Sequence, residues 1–444
     1  MNPVVILGAG PSACLLALAL ARGGQSALVI GQPRQRGAAE GLSQRVIEAL
    51  RQFGCSQALS MLGPRWLRVS SWNGAEVEMN GEFVVERVAF DRALLADVRA
   101  SGIDVREGKV RTLEHVEEGM WYVHWEDQSG RSQRTAAQVI VECRGRTAPK
   151  KAPDLQVEAM RVAVARTFTG AAIQPRTTYV ESFAQGWAWG AVEASGLAHI
   201  QIVVLPESVS AHGGDLDATH AACFEHLHGL RRRFGRNLRP VGPARARGIQ
   251  PALRGGVASR DFLRVGDSAY SCDPLSGHGV FEAASGAIAA APVINTLLQR
   301  PDDASLAVRY FTERASEVFA SRVTAAHEHY RSETRWPDAE FWERAIAPRR
   351  PSMEVPEIRE PAFVMRPVVE DGFITDRSVV VSDEHPRGVR FIGGIDLARL
   401  DQLVRTLQVP DPERLSRLLS APHESVCRAL HWLQARRLAP RPVQ

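Results

Sequence analysis

Lysine is nearly absent from this chain of 444 residues: Lys109, Lys150 and Lys151 are the only three, and arginine carries almost all the positive charge. A coding sequence rich in G and C explains that bias without a functional cause. With 54 basic and 50 acidic residues the net charge is only +4, which removes the electrostatic footprint of a nucleic-acid or anionic-membrane binder. Cysteine is sparse and scattered. Cys14, Cys55, Cys143, Cys223, Cys272 and Cys427 include no close pair, so neither a zinc site nor a redox dithiol is expected, and a reduced, cytoplasmic protein fits. Long apolar runs are missing too. Pro3 to Ala21 is uncharged and ends in Ala-Leu-Ala like a signal peptide, yet no Lys or Arg precedes it, and Gly8, Gly10 and Pro11 interrupt it where a spanning helix would be continuous. What remains is the makeup of a folded protein, 45% hydrophobic and 23% charged, long enough for about two to four domains.

Val4-Val5-Ile6-Leu7 reads as a buried strand, Cys14 to Ala21 as a helix, and Ala27 to Ile30 as a second strand, closing a βαβ unit. Between strand and helix stands G-x-G-x-x-A. Gly8 permits the tight turn, Gly10 lets a pyrophosphate approach the backbone, and Ala13 lets helix and strand pack closely. The free N–H groups and positive end of the helix favour phosphate. Gly8, Gly10, Pro11, Ser12 and Ala13 are thus the candidate dinucleotide contacts. The acidic residue that usually meets the ribose hydroxyl is missing, because Gly31 follows Ile30; Gln32, Arg34 and Glu40 remain open as replacements.

A second segment lies far downstream. The strand Phe262-Leu263-Arg264-Val265 leads into Gly266-Asp267, then Asp273-Pro274-Leu275-Ser276-Gly277-His278-Gly279-Val280 and an Ala-rich helix to Leu298. A strand ending in Asp267 offers a carboxylate to a polyol, and the next helix offers bare N–H groups to a delocalised anion. Both needs belong to FAD, through its ribityl chain and its reduced isoalloxazine ring.

With Val-Glu-Cys-Arg-Gly-Arg at 141–146, these segments resemble the three fingerprints of the FAD-dependent aromatic monooxygenase and halogenase superfamily, in order over residues 1–300. The middle one departs from the family's Asp-Ala-Thr-Gly, having Glu142-Cys143-Arg144-Gly145 instead. The resemblance implies an α/β fold: a Rossmann-like FAD-binding domain (1–60, 90–155 and 250–300) interleaved with a β-sheet substrate domain (61–89 and 156–249). A long helix and connection (301–345) and a small C-terminal α+β docking or lid module (346–444) would follow. It further implies Asp267 on the ribityl chain, Pro274 over the flavin, and the Gly277, His278, Gly279 and Val280 backbone near N(1). Arg45 resembles the family's flavin-contacting arginine, and His278 is assigned to the flavin or the substrate side.

Halogenases of this superfamily use a lysine, and this chain has none before Lys109; their Trp-x-Trp-x-Ile-Pro signature is only half echoed by Gly186-Trp187-Ala188-Trp189-Gly190. Hydroxylation asks less of the protein. The reduced flavin and oxygen form an electrophilic C(4a)-hydroperoxide, and the protein supplies a dry pocket that aims an electron-rich ring at it. Tyr179, Glu181, Trp187 and Trp189, with Phe183 nearby, are the candidate pocket residues. His278, Asp273 and Pro274 are the candidate catalytic residues, the general base staying open among His278, Glu181 and Asp273. No metal is expected.

Glu40-Gly-Leu-Ser-Gln-Arg45, Glu86-Arg-Val-Ala-Phe-Asp91, Gly-Trp-x-Trp, and Tyr330-Arg-Ser-Glu-Thr-Arg-Trp-Pro-Asp338 with Phe341-Trp342 are similar to the flavoproteins that modify tryptophan residues in quinone-cofactor amine oxidases and dehydrogenases. That resemblance implies a single-component monooxygenase using NAD(P)H and O2. Its substrate would be a tryptophan of a small partner subunit, hydroxylated twice on the way to tryptophylquinone. The rivals are an FAD halogenase or reductase of a small molecule, and a flavin-bearing docking or chaperone protein.

Beyond Asp303, apolar residues from Leu306 to Tyr330 recur at three and four, predicting a long amphipathic helix. Arg349 to Pro367 reads as a proline-spaced linker. Ser378–Ser382 and Arg390–Ile392 read as a hairpin, and three short helices follow, the second with Asp411 as N-cap and Pro412 at N1. Strand wing plus helices also describes a DNA-binding winged helix with Arg436, Arg437 and Arg441 at its basic end, but the low net charge opposes it.

Overall fold

The apolar runs at the N-terminus become the centre of a sheet. In the computed structural model, Asn2–Leu7 lies between Ala27–Gly31 and Ser132–Glu142, parallel to both. Val4 to Leu7 are fully buried, as expected of a parallel strand covered on both faces. Asp104–Glu117 extends the sheet beyond Ala27–Gly31, Phe262–Arg264 extends it beyond Ser132–Glu142, and Met120–Asp127 pairs antiparallel with Asp104–Glu117 and Ser132–Glu142. The structure describes residues 2–150, 152–172, 176–193, 195–235, 237–346, 360–407 and 411–439.

Two compact units are formed, one from residues 1–301 and 311–352, the other from 302–310 and 353–444. In the first unit a second, eight-stranded sheet runs in the order Arg239–Gly248, Val162–Thr169, Ala198–Val204, Gly186–Val192, Thr177–Phe183, Trp66–Trp72, Ala75–Glu86, Ala39–Leu42. Strand alternation gives it two different faces. Tyr179, Phe183, Ala188 and Ile200 pack with Leu227, Leu230 and Phe234 of the helical side. Val180, Trp187 and Val203 pack on the other face with Leu275, Tyr330, Phe341 and Trp342. The helix Gly279–Gln299 is long and apolar enough to cross a membrane, but 78% of its apolar window is buried inside this unit.

The second unit corrects two expectations. Ser378–Ser382 does not pair with Arg390–Ile392. It belongs to Phe373–Ser382, the middle strand between Ala362–Glu370 and His385–Val389, while Phe391–Ile392 pairs with Ile395–Asp396. Ala362 to Pro367, the tail of the expected linker, is therefore strand; residues 349–359 of that linker lie outside the described residues. Pro367 is tolerated because Ala362–Glu370 is an edge strand. The turn is Asp371-Gly372, both with positive φ, which suits a two-residue hairpin. Leu397–Leu407, Pro412–Leu419 and His423–Ala435 are the three helices, and the Asp411 side chain accepts from the Glu413 N–H as N-cap.

Candidate active site

The glycine turn after the first strand is built by sterics. Gly8 has φ +122°, and a Cβ there would stand 2.6 Å from the Cys143 carbonyl oxygen, so only glycine fits. Gly10 is different: nothing lies within 4 Å of a Cβ built on it. It N-caps the helix Pro11–Arg22, with Pro11 at its start, and this open side lets a phosphate approach the first-turn amides. Ser12 and Ala13 are buried beneath. The missing ribose acid has a cause as well. A Cβ on Gly31 would lie 2.5 Å from the Gly8 carbonyl carbon, so the strand end that usually carries the carboxylate has no room for one. Of the three replacements, Arg34 pairs with Asp91 at 3.3 Å, Glu40 pairs with Arg87, and Gln32 is exposed.

Three distant segments meet at this turn. The Cys143 carbonyl abuts Gly8, and Gly266, at φ +67°, is packed against the Ser12 side chain. The Val265 N–H donates to the Glu142 carbonyl at 3.0 Å. Arg146, from the imperfect middle fingerprint, donates to Asp267 Oδ2 at 3.1 Å and to the Cys272 carbonyl at 3.1 Å. Asp267 remains a third exposed, within reach of a polyol hydroxyl. The cradle therefore fits FAD: an open glycine turn at a helix start, and a half-exposed carboxylate beside it. Pro274 and His278 are half-buried, Gly277 and Gly279 exposed, and Val280 buried at the start of Gly279–Gln299. Arg45 is exposed, with its guanidinium 5.8 Å from the Phe281 ring, whose own edge meets His278 at 5.9 Å.

Asp273 is not a free base. Its Oδ2 receives Arg161 Nη1 at 2.7 Å and the Tyr330 hydroxyl at 3.0 Å, while Oδ1 receives the Leu275 N–H at 2.9 Å. Tyr330 in turn accepts from Trp187 Nε1 at 3.0 Å. Burial, then Asp273, holds the Tyr330 phenol far above its ordinary range, so it stays protonated and donating. The carboxylate thereby ties the Asp-Pro-Leu-Ser-Gly turn to the sheet and to the helix Ala304–Arg331.

The four candidate pocket residues divide between the two sheet faces. Trp187, buried, and Trp189, half-buried, pack on the face of Leu275 and Tyr330. Tyr179 and Glu181 do not join them, a correction that follows from alternation along Thr177–Phe183. Tyr179 donates to Glu76 at 2.8 Å, and Glu181 accepts the Gly229 and Leu230 amides at 2.9 and 2.7 Å, capping the helix His228–Phe234. Burial raises the Glu181 carboxyl pKa, but its lone pairs are committed away from the flavin segment.

Sequence reasoning missed Arg146, Arg161 and the role of Tyr330, and it left Glu333 unassigned. Glu333 accepts from Ser182 at 2.6 Å, from the Asn73 amide at 2.7 Å and from Arg335 at 2.8 Å, fixing the Tyr330–Asp338 stretch to the sheet. The Tyr-Arg-Ser-Glu-Thr-Arg motif was the available signal for it; nothing marked Arg161.

A Rossmann-like half joined to a broad eight-stranded sheet, with a glycine cradle between distant segments, defines an FAD enzyme of the aromatic-hydroxylase fold. The chain belongs to the FAD-dependent aromatic monooxygenase and halogenase superfamily, and its cofactor is FAD. Residues 1–201 match the family described as the FAD binding domain. The structure is similar to that of the peptidyl tryptophan dihydroxylase QhpG, essential for tryptophylquinone cofactor biogenesis, at 31% identity and TM-score 0.82 over 98% of this chain and 99% of that one. It shares its fold with CmlS, a flavin-dependent halogenase (17%, 0.75, 98% and 95%), and with the myxobacterial chondrochloren halogenase CndH (20%, 0.71, 78% and 86%). No curated protein sequence matches the chain.

Proposed function

We propose that this protein is a single-component FAD monooxygenase that hydroxylates a tryptophan side chain of a small partner subunit twice, in the biogenesis of a tryptophylquinone cofactor. The observation that carries the reading is the similarity to the peptidyl tryptophan dihydroxylase, which extends through both compact units at 31% identity. When bound, FAD supplies the activated oxygen, with NAD(P)H as the reductant and O2 as the oxygen source. The chain's own work is positional. Gly8 to Ala13 would hold the pyrophosphate, Asp267 the ribityl chain, and Pro274 with Gly277 to Val280 the ring. Trp187 and Trp189 form an apolar wall that excludes water and guides an electron-rich indole. The half-buried His278 is the remaining candidate for the proton of the hydroxylated indole. The C-terminal unit serves as docking or lid module for the polypeptide substrate.

The test is NAD(P)H consumption under oxygen with and without the candidate subunit, followed by intact mass of that subunit. Gains of one and then two oxygen atoms on one tryptophan, coupled to NAD(P)H use, are expected. Free tryptophan turning over as fast as the subunit overturns the protein-substrate reading. An unchanged subunit mass turns it toward a docking role, and a halide requirement toward halogenation.

A further inference from the structure

Arg68 stands on Trp66–Trp72 opposite Thr178, which places its side chain on the sheet face that carries Val180, Trp187 and Trp189. Both terminal nitrogens lie 4.0 Å from the position a Cβ on Gly277 would take, so the guanidinium sits against the turn that opens the helix Gly279–Gln299. Its Nε is buried and has no hydrogen-bond partner among the described residues, and no carboxylate pairs with it there. The acids of the neighbourhood are spent elsewhere. Asp273 is bound by Arg161; Glu40, which approaches Gly279, is bound by Arg87; and Glu82 accepts the hydroxyl of Thr178, the in-register neighbour of Arg68. The nearby ring is His329, tilted against Trp72 with ring centroids 4.4 Å apart, its pKa lowered first by burial and then by Arg68 itself.

A half-buried guanidinium with no ion-pair partner among the described residues, beside the positive end of a 21-residue helix, is electrostatically unfavourable as it stands. The same arrangement becomes favourable once a planar delocalised anion enters, because the guanidinium fork matches two acceptors in one plane. FAD becomes such an anion on reduction: two electrons and one proton leave one net negative charge, shared between N(1) and the C(2) oxygen. We propose that Arg68, together with the first turn of Gly279–Gln299, recognises that charge and makes the site prefer reduced over oxidised FAD. The inference needs only the FAD site, so its failure leaves the tryptophan-hydroxylase reading standing.

The experiment uses the holoenzyme and the variants Arg68→Gln and Arg68→Lys, with the FAD midpoint potential and the affinity for oxidised FAD as readouts. Arg68→Gln is expected to bind oxidised FAD within about twofold of wild type. Its preference for reduced FAD should drop about tenfold, which for a two-electron couple is about 30 mV toward negative potential. Arg68→Lys should recover part of that shift, and the apo form of Arg68→Gln should melt no lower than wild type, since no native partner is lost. An unchanged potential in both variants overturns the proposal, even if turnover of the partner subunit falls. So does a lowered apo melting temperature in both with loss of oxidised FAD, which would make Arg68 a structural residue.

Discussion

At Asp273 the chain places a carboxylate where a catalytic base was expected and then binds both of its oxygens. Its side chain and that of Arg161 are each about nineteen-twentieths buried, so the pair is fixed by geometry and not by solvent. Removing one partner leaves a buried charge uncompensated, which costs about 3–5 kcal/mol. Asp273→Asn should lower the unfolding free energy by that order in urea titration, whereas joint replacement of Arg161 by Met and Asp273 by Leu should recover most of it. A catalytic base would give the opposite pattern, a stable but inactive single variant. Glu333 gives a pH prediction. Burial alone would raise its pKa, but Arg335, Ser182 and the Asn73 amide win and bring it to about 2, from 4.5. A depressed folded pKa means stability that is complete above pH 4.5 and lost as the pH falls toward 2. The amount is about 3 kcal/mol. Acid melting curves of Glu333→Gln should lack that loss and start from a lower plateau at neutral pH.

The turn between the first strand and the first helix separates folding from cofactor binding by single glycines. Gly8→Ala combines a forbidden φ with a 2.6 Å clash against the Cys143 backbone, so it should destabilise the apoprotein by about 2 kcal/mol or more. Gly10→Ala meets no atom, so its apo stability should stay within about 1 kcal/mol of wild type while FAD binding weakens at least tenfold. Equal losses of apo stability in the two variants would contradict this division. That turn was legible in the sequence because backbone needs leave glycines at set spacings. The sheet faces were only half legible: alternation announced strands, but which face met the flavin segment depended on pairings such as Thr178 with Arg68, remote in the chain. Arg161 left no trace at all, since its partner lies 112 positions away and no local pattern requires an arginine there. The Ala362–Glu370 strand was hidden by Pro367, which suggests a linker until the strand is known to be at an edge.

On the scale of the whole molecule, one cofactor would join Gly8–Ala13 to Asp267 and Gly277–Val280, and the fold itself seats the first two of these segments together through Ser12, Cys143 and Arg146. FAD should therefore act as a cross-link on the first unit. At a hundred times its dissociation constant it adds about 2.7 kcal/mol to the unfolding free energy. Asp267 is the residue on which to test this, because its bond to Arg146 is partly exposed and worth less than about 1 kcal/mol to the apoprotein. Asp267→Ala should leave apo melting nearly unchanged and, with FAD bound about tenfold more weakly, lose about 1.4 kcal/mol of the cofactor's increment at the same FAD concentration. Hydrogen exchange can locate the effect. Protection on adding FAD should rise in Asn2–Leu7, Ser132–Glu142 and Phe262–Arg264, the strands that carry the three cradle segments, and stay constant in Ala362–Glu370 and Phe373–Ser382 of the second unit. Equal protection in both units would mean that FAD stabilises the chain globally and not through the junction of its distant segments.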